Sequence, residues 1–457
     1  MNDIINQLNI YSMRKTSYVK VALMGAMSVA VAGSCLSAYS QSNSIEVPIS
    51  IRSGSGPFHA GMGGIAPDSE DENNPWRKTY LKVYGIPADW TDAKKGDIHT
   101  NIYQSVYQHY LQGNVSQQWY EQLQQLWNWK PDKTNLSKKP LRCQIAFAYG
   151  KDVTGTVKMV VDANNNLDFS DDVIFTPLEL TTWGDGSVNL DSLKAKHSIA
   201  VRYERLSDNQ IIEEETSLFI AYHPPRNMWM SDFPQHAVAE FGGNEFAIQS
   251  FTIDYIKSSI VQLNDSLKNG KKATEDDLVA ENEYLVVNDK VYTYKGVNRN
   301  KGVMLLERVK EPQSRLYSSN KGFKAIPFEG ADFKTKAKVS LESCRGKYVL
   351  IDFWAVWCGP CLQEMPALKA LYESTDRAKI EVIGVVGDSP TEGLGKMIEQ
   401  YAITWPQVLS DESNAITKKY GVRGYPTTLL LDPEGIIIAK NLRGKALEAK
   451  ITELMAD

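Results

Sequence analysis

An apolar run, Tyr348–Ala355, leads into Trp357-Cys358-Gly359-Pro360-Cys361, and a helix is predicted directly after it, near Pro360–Glu373. A buried strand that hands a Cys-x-x-Cys pair to the start of a helix narrows both the fold and the chemistry. Such a pair serves zinc, haem or redox chemistry. Zinc requires two further soft ligands at suitable spacing, and there is no second cysteine pair or nearby histidine, since all six histidines precede residue 240. Covalent haem attachment requires a histidine after the second cysteine, and Leu362 stands there. Redox chemistry remains.

The predicted position also supplies a mechanism. Unpaired N–H groups and the helix dipole at a helix N-terminus stabilise a thiolate on the first cysteine. A free thiol with pKa ~8.5 falls to roughly 3.5–7.5 in such a setting. Cys358 is the expected nucleophile on a substrate disulfide, and Cys361, one turn further in, the resolving thiol. Pro360, with its fixed φ, suits the first helical turn.

Around the pair, strands and helices alternate. Strands are expected at Tyr348–Ala355, Ile380–Gly387, Thr427–Leu431 and Ile436–Lys440. Helices are expected near Pro360–Glu373, Thr391–Tyr401 and Asn414–Tyr420, and from Lys445. This is the rhythm of a layered α/β domain with a mixed central sheet flanked by helices. Upstream the pattern is different. Two helices carry aromatic stripes, Ile102–Leu111 and the run after Ser116. Short β runs follow at Gln144–Tyr149, Thr156–Val161, Val173–Leu180, Ser198–Glu204 and Ser217–Tyr222. A helix-like stretch spans residues 253–268, and a β-meander covers Tyr284–Val309. The aromatic stripes are read as core.

The 457 residues therefore divide, as a multidomain α+β chain, into a signal peptide (1–40), a β-rich mixed domain of unassigned role (41–250), a helix plus β-meander and linker (251–320), and the α/β domain (321–457). Charge divides along the same line. Residues 321–457 carry 18 basic and 18 acidic groups, whereas 41–320 carry 29 and 36. The mild overall charge of −5 excludes a general nucleic-acid binder, which needs a basic face.

Residues 21–33 form an apolar run too short to span a bilayer comfortably. Arg14, Lys15 and Lys20 precede it and the small residues 37–40 follow. This reads as an export signal, placing the mature chain in the periplasm or cell envelope, where disulfides persist. Membrane attachment is expected only if Cys35, in a loose lipobox, is lipidated or the signal is left uncleaved.

The residues around the pair resemble the thioredoxin superfamily. Val349–Cys361 reads like its active-site strand and helix, and Gly424-Tyr425-Pro426-Thr427-Thr428 like the loop whose proline is cis and faces the cysteines. Glu364-Met365-Pro366 and Val385–Ser389 are similar to the TlpA/ResA branch. The resemblance covers about 325–457 and implies a thiol-disulfide oxidoreductase that requires no cofactor. Its partners would be disulfide-containing client proteins and an electron-donating thiol. It also implies that Pro426 shapes the substrate groove and keeps metal from the thiols, with Trp357 and Tyr425 beside that groove. Asp352 interrupts an apolar strand, where an unpaired carboxylate is expensive to bury. It is either a hydrogen-bonded structural residue or a buried acid exchanging a proton with Cys361, and the resemblance favours the acid. Asp388 is read either as a second such acid or as a strand-end cap, and Glu364 as a solvated helix residue.

Another function class also fits the chain: an exported ligand-binding protein with an ancillary redox domain. Its one motif is Asp162, Asn164, Asn166 and Asp168, spaced like the front half of a calcium loop, with Asp172 in place of the closing glutamate. Either a structural calcium site or an Asn/Asp-rich turn satisfies that spacing. Cys143 and Cys344 are expected to be unpaired.

Overall fold

The computed structural model describes residues 43–182, 188–250, 252–422 and 424–456. The predicted export signal and Cys35 lie outside them. No helix among the described residues is long and apolar enough to cross a membrane.

The chain forms two compact units. One runs through Lys272 and adds Gly296–Leu306; the other comprises Ala273–Lys295 and Glu307–Asp457. The stretch 251–320, expected to stand apart, is thus shared between them.

In the first unit, β1 (Ser44–Ser53), β2 (Gly63–Ile65) and β3 (Thr91–His99) precede two helices, α1 (Ile102–Leu111) and α2 (Gln117–Leu126). Asn101 and Ser116 cap these helices, accepting the Gln104 and Trp119 amides at 3.0 and 3.2 Å. Their aromatic stripes pack inward, with Val106, Tyr107, Tyr120, Leu123 and Trp129 in one core cluster. Next come β4 (Gln144–Lys151) and β5 (Val157–Val161), and β4 pairs antiparallel with β3 on one edge and β5 on the other. The run expected at Val173–Leu180 keeps only β6 (Leu178–Glu179) and an isolated Met159–Phe175 bridge. A helix, α3 (Leu190–His197), leads into the long hairpin of β7 (Ile199–Ser207) and β8 (Gln210–His223). The latter also pairs with β9 (Met228–Asp232).

The strands β10 (Gln235–Phe241), β11 (Asn244–Gln249) and β12 (Ser259–Gln262) join β1 in the order β12-β11-β10-β1. The helix expected over 253–268 shrinks to α4 (Asp265–Lys268). Ser259–Gln262 is drawn into an antiparallel ladder, Ile260 opposite Ile248, and sheet pairing outweighs the weak helical propensity of this Ile/Val/Ser-rich stretch.

The second unit contributes β13 (Val279–Ala280), a hairpin of β14 (Tyr284–Val287) with β15 (Lys290–Asn298) up to Lys295, the end of β16 (Val303–Arg308), and a small hairpin, β17 (Glu329–Ala331) with β18 (Lys338–Ser340). Its centre is a five-stranded sheet of β19 (Tyr348–Trp354), β20 (Ile380–Val386), β21 (Gln407–Leu409), β22 (Thr427–Leu431) and β23 (Ile437–Lys440), in the order β21-β20-β19-β22-β23. β19 runs parallel to β20 and antiparallel to β22, which is the mixed arrangement expected. Helices α5 (Gly359–Ser374), α6 (Thr391–Gln400), α7 (Ile416–Lys419) and α8 (Gly444–Ala456) complete the unit. Both faces of β19 are covered: Leu350 and Trp354 pack into one core, and Val349, Ile351 and Phe353 into the other. That two-sided burial explains its unbroken apolar sequence. Alternation along the strand puts Asp352 on the Leu350–Trp354 face, the one that also receives Cys361 and Met365 of α5.

Candidate active site

Cys358 is the N-cap residue of α5, with extended backbone (φ −80°, ψ 95°), and its sulfur accepts the Cys361 amide at 3.2 Å. The first regular intrahelical bond follows, with Leu362 N–H donating to the Cys358 carbonyl at 3.1 Å. Cys358 and Cys361 form a disulfide, and both are buried. The first cysteine therefore sits where a helix N-terminus favours negative charge on sulfur.

Beneath the pair, Asp352 lines a small cavity together with Cys361, Glu364, Met365, Leu368 and Thr428. Burial pushes its carboxyl up to about 7, the nearby Glu364 carboxylate adds to the rise, and the Arg443 guanidinium opposes it. At neutral pH such a group is divided between its two protonation states and can accept a proton or return one. Glu364, expected to be solvated, is half-buried in this cavity instead. Its position was legible in principle, because it lies three residues after Cys361 and so shares the same helix face.

The Tyr425–Pro426 peptide is cis, as the resemblance implied. Thr427 and Thr428, which follow it, stand opposite Phe353 and Asp352 in the β19–β22 ladder, so the strand pairing carries the proline loop to the active-site end of the sheet. Trp357 is 46% exposed and meets Tyr425 edge to face, ring centroids 5.8 Å apart. Asp388 ties both aromatics together: its carbonyl accepts Trp357 Nε1–H at 2.9 Å and its carboxylate accepts the Tyr425 hydroxyl at 3.2 Å. Asp388 itself has a left-handed φ of 46°. Burial and the adjacent Asp388 charge push the Tyr425 phenol well above its usual range, so it stays a donor.

The other sequence candidates take no part in the contacts just described. In the first unit the Asp162–Asp172 loop closes on itself. Asp162 accepts the Asn166 and Leu167 amides at 2.9 and 2.8 Å, and Asp171 accepts the Asn164 and Asn166 side-chain amides at 3.0 and 3.1 Å. The Asp168 carboxylate accepts the Ser170 amide at 3.0 Å, and that of Asp172 the Ala163 amide at 3.0 Å. Among the described residues no group of three or more His, Cys, Asp or Glu side chains is arranged to hold a metal ion. Cys143 and Cys344 are free and buried.

Comparison with known proteins bears on the second unit. The sequence model of the AhpC/TSA family matches residues 322–440. Thiol-disulfide oxidoreductase ResA of Bacillus thuringiensis subsp. konkukian is 31% identical over 134 residues, which are 29% of this chain and 76% of that protein. Thioredoxin-like protein YneN of Bacillus subtilis is 35% identical over 115 residues, 24% of this chain and 66% of that protein. Among solved structures, the thioredoxin domain of a thiol-disulfide oxidoreductase from Bacteroides vulgatus is 35% identical, covering 29% of this chain and 96% of that one, with a TM-score of 0.28. A thiol:disulfide interchange protein from Bacteroides sp. is 34% identical, covering 30% and 91%, again at 0.28. The C-terminal part of the chain is a thioredoxin-like domain, and through it the protein belongs to the ResA-like thiol-disulfide oxidoreductases.

Proposed function

We propose that the protein is an exported enzyme that reduces or exchanges disulfides in proteins of the cell envelope, using Cys358 and Cys361 as its working dithiol. The reduced Cys358 thiolate attacks one sulfur of a substrate disulfide, forming a mixed disulfide and expelling the other sulfur as a thiolate. Cys361 gives its proton to the Asp352 carboxylate and attacks Cys358, releasing the second substrate thiolate and closing the Cys358–Cys361 bond. Two electrons pass from the enzyme dithiol to the substrate, and an electron-donating dithiol partner restores the reduced enzyme. Trp357, Tyr425 and Pro426 line the groove that receives the substrate.

The observation that carries this reading is the placement of Cys358 at the N-cap of α5, with Cys361 and the raised Asp352 carboxyl sharing one cavity beneath it. Export is supported by the basic residues and short apolar run of positions 14–33. Insulin-disulfide reduction in the presence of a reductant tests the activity. The Cys358→Ser variant should lose it, and retained turnover would sink the reading. Cys361→Ser should trap mixed disulfides with clients, and recovery of envelope proteins in those adducts tests the location.

A further inference from the structure

Arg443 lies in the turn between β23 and α8, distant in sequence from every motif of the active site. Its guanidinium donates to the Pro426 carbonyl. Its chain neighbours Leu442 and Gly444 line the cavity that holds Asp352 and Cys361. The Leu442 carbonyl accepts the hydroxyl of Thr428 at 2.9 Å, and Thr428 is the residue opposite Asp352 in the β19–β22 ladder. The turn is pinned at its other end as well. The Asn441 amide donates to the Thr428 carbonyl at 2.8 Å, and the Asn441 side chain to the Asp276 carboxylate at 2.7 Å. Asp276 lies outside the 322–440 stretch matched by the family.

We propose that Arg443 is a positioning residue of the exchange reaction: one side chain that holds the Pro426 carbonyl and keeps a cation beside the Asp352 carboxylate. The inference rests on the role given to Asp352 above. Among the described residues, the charged and titratable groups that line its cavity or act on Asp352 are Glu364 and Cys361 from α5, Glu448 from α8, and Arg443 from the turn; Gly384 and Thr428, its partners on the flanking strands, carry no charge. Among the described residues Arg443, flanked by two residues of the cavity lining, is therefore the cation that acts on a carboxyl otherwise biased toward its neutral form by burial and Glu364. With it, Asp352 is ionised often enough to take the Cys361 proton at neutral pH. Without it, burial and the Glu364 carboxylate hold Asp352 protonated and the resolving step slows.

The test is the pH dependence of insulin-disulfide reduction by the full chain with dithiothreitol as reductant, from about pH 5 to about pH 9, across the titration range of a poised acid. The Cys358 titration is followed separately by iodoacetamide alkylation. Wild type, Asp352→Asn, Arg443→Met, Arg443→Lys and the Asp352→Asn/Arg443→Met pair are compared. Arg443→Met should move the midpoint of the rising limb alkaline by about one pH unit, the low end of the effect of one nearby opposite charge. It should also raise KM for the disulfide substrate. Arg443→Lys should restore the midpoint, and in the Asp352→Asn background Arg443→Met should move nothing further. A limb unmoved by Arg443→Met but abolished by Asp352→Asn would overturn the role of Arg443 and leave that of Asp352 standing. A limb unmoved by Asp352→Asn would overturn both.

Discussion

The Tyr425 hydroxyl donates to the Asp388 carboxylate at 3.2 Å, joining the residue before the cis proline to the end of β20 across the mouth of the active site. Trp357 closes the arrangement by donating to the Asp388 carbonyl. Gly387 makes this approach feasible, since a Cβ there would lie 2.0 Å from the Tyr425 hydroxyl oxygen. Gly387→Ala should therefore displace Tyr425 and cost about 1–3 kcal/mol, as overpacking does. Tyr425→Phe should leave stability nearly unchanged and raise KM for insulin roughly fivefold, the worth of about one hydrogen bond. Urea denaturation and steady-state kinetics separate the two effects. A Gly387→Ala protein with wild-type stability and KM would refute the close packing.

Asp352 makes a signed prediction about stability. Its folded-state pKa, about 7, lies above the ordinary aspartate value of about 3.9, so the native state binds the proton more tightly than the unfolded chain. Its effect is absent below about pH 4. As pH rises through the window up to about 7 the group progressively destabilises the fold, and the penalty is constant above that. Asp352→Asn removes the penalty and should stabilise the protein at pH 8 by on the order of 2–4 kcal/mol, with little difference at pH 4. Parallel urea titrations at the two pH values check this, and equal stabilisation at both would contradict a raised pKa.

Gln407 bridges strands through its side chain. Its Oε1 accepts Trp354 Nε1–H at 2.9 Å, and its own backbone amide donates to the Asp332 carboxylate at 2.9 Å. Trp354 is fully buried, so Gln407→Leu strands an indole donor in the core. The expected loss is about 1–3 kcal/mol, the desolvation cost of an unpaired buried donor. The urea midpoint of the C-terminal transition reads it directly.

In the first unit, Lys194 is 1% exposed, and its ammonium donates to Asp232 and to the Gly61 carbonyl, both at 2.6 Å. Burial holds the Asp232 carboxyl above its usual range even with this partner. Lys194→Met leaves that carboxylate uncompensated and should destabilise the unit by about 3–5 kcal/mol. Limited proteolysis should then cut the first unit at lower denaturant concentration. Unchanged resistance would show that Asp232 relaxes into solvent.

Much of the catalytic unit was legible from order along the chain. The strand, the cysteine pair and the following helix are contiguous, and so are the residues that set a helix N-terminus against Cys358. The stripes of α1 and α2, and their caps at Asn101 and Ser116, follow from local periodicity and side-chain reach. Asp352 announced itself as a polar interruption of a strand that otherwise tolerates only apolar residues. The assignment of residues 273–295 to the catalytic unit, by contrast, carries no local signal.

Sequence by itself determined the dithiol, its helix terminus and the apolar strand beneath it, because each depends on neighbours within a turn or a strand. Tertiary structure alone decided what surrounds Asp352. Glu364 approaches it from α5 and Arg443 from the turn after β23, some ninety positions away, brought near because β22 lies next to β19 in the sheet. Whether that acid is poised near neutrality depends on burial and on the balance of those two charges. That balance is set by strand order and helix packing, which no local stretch of sequence encodes.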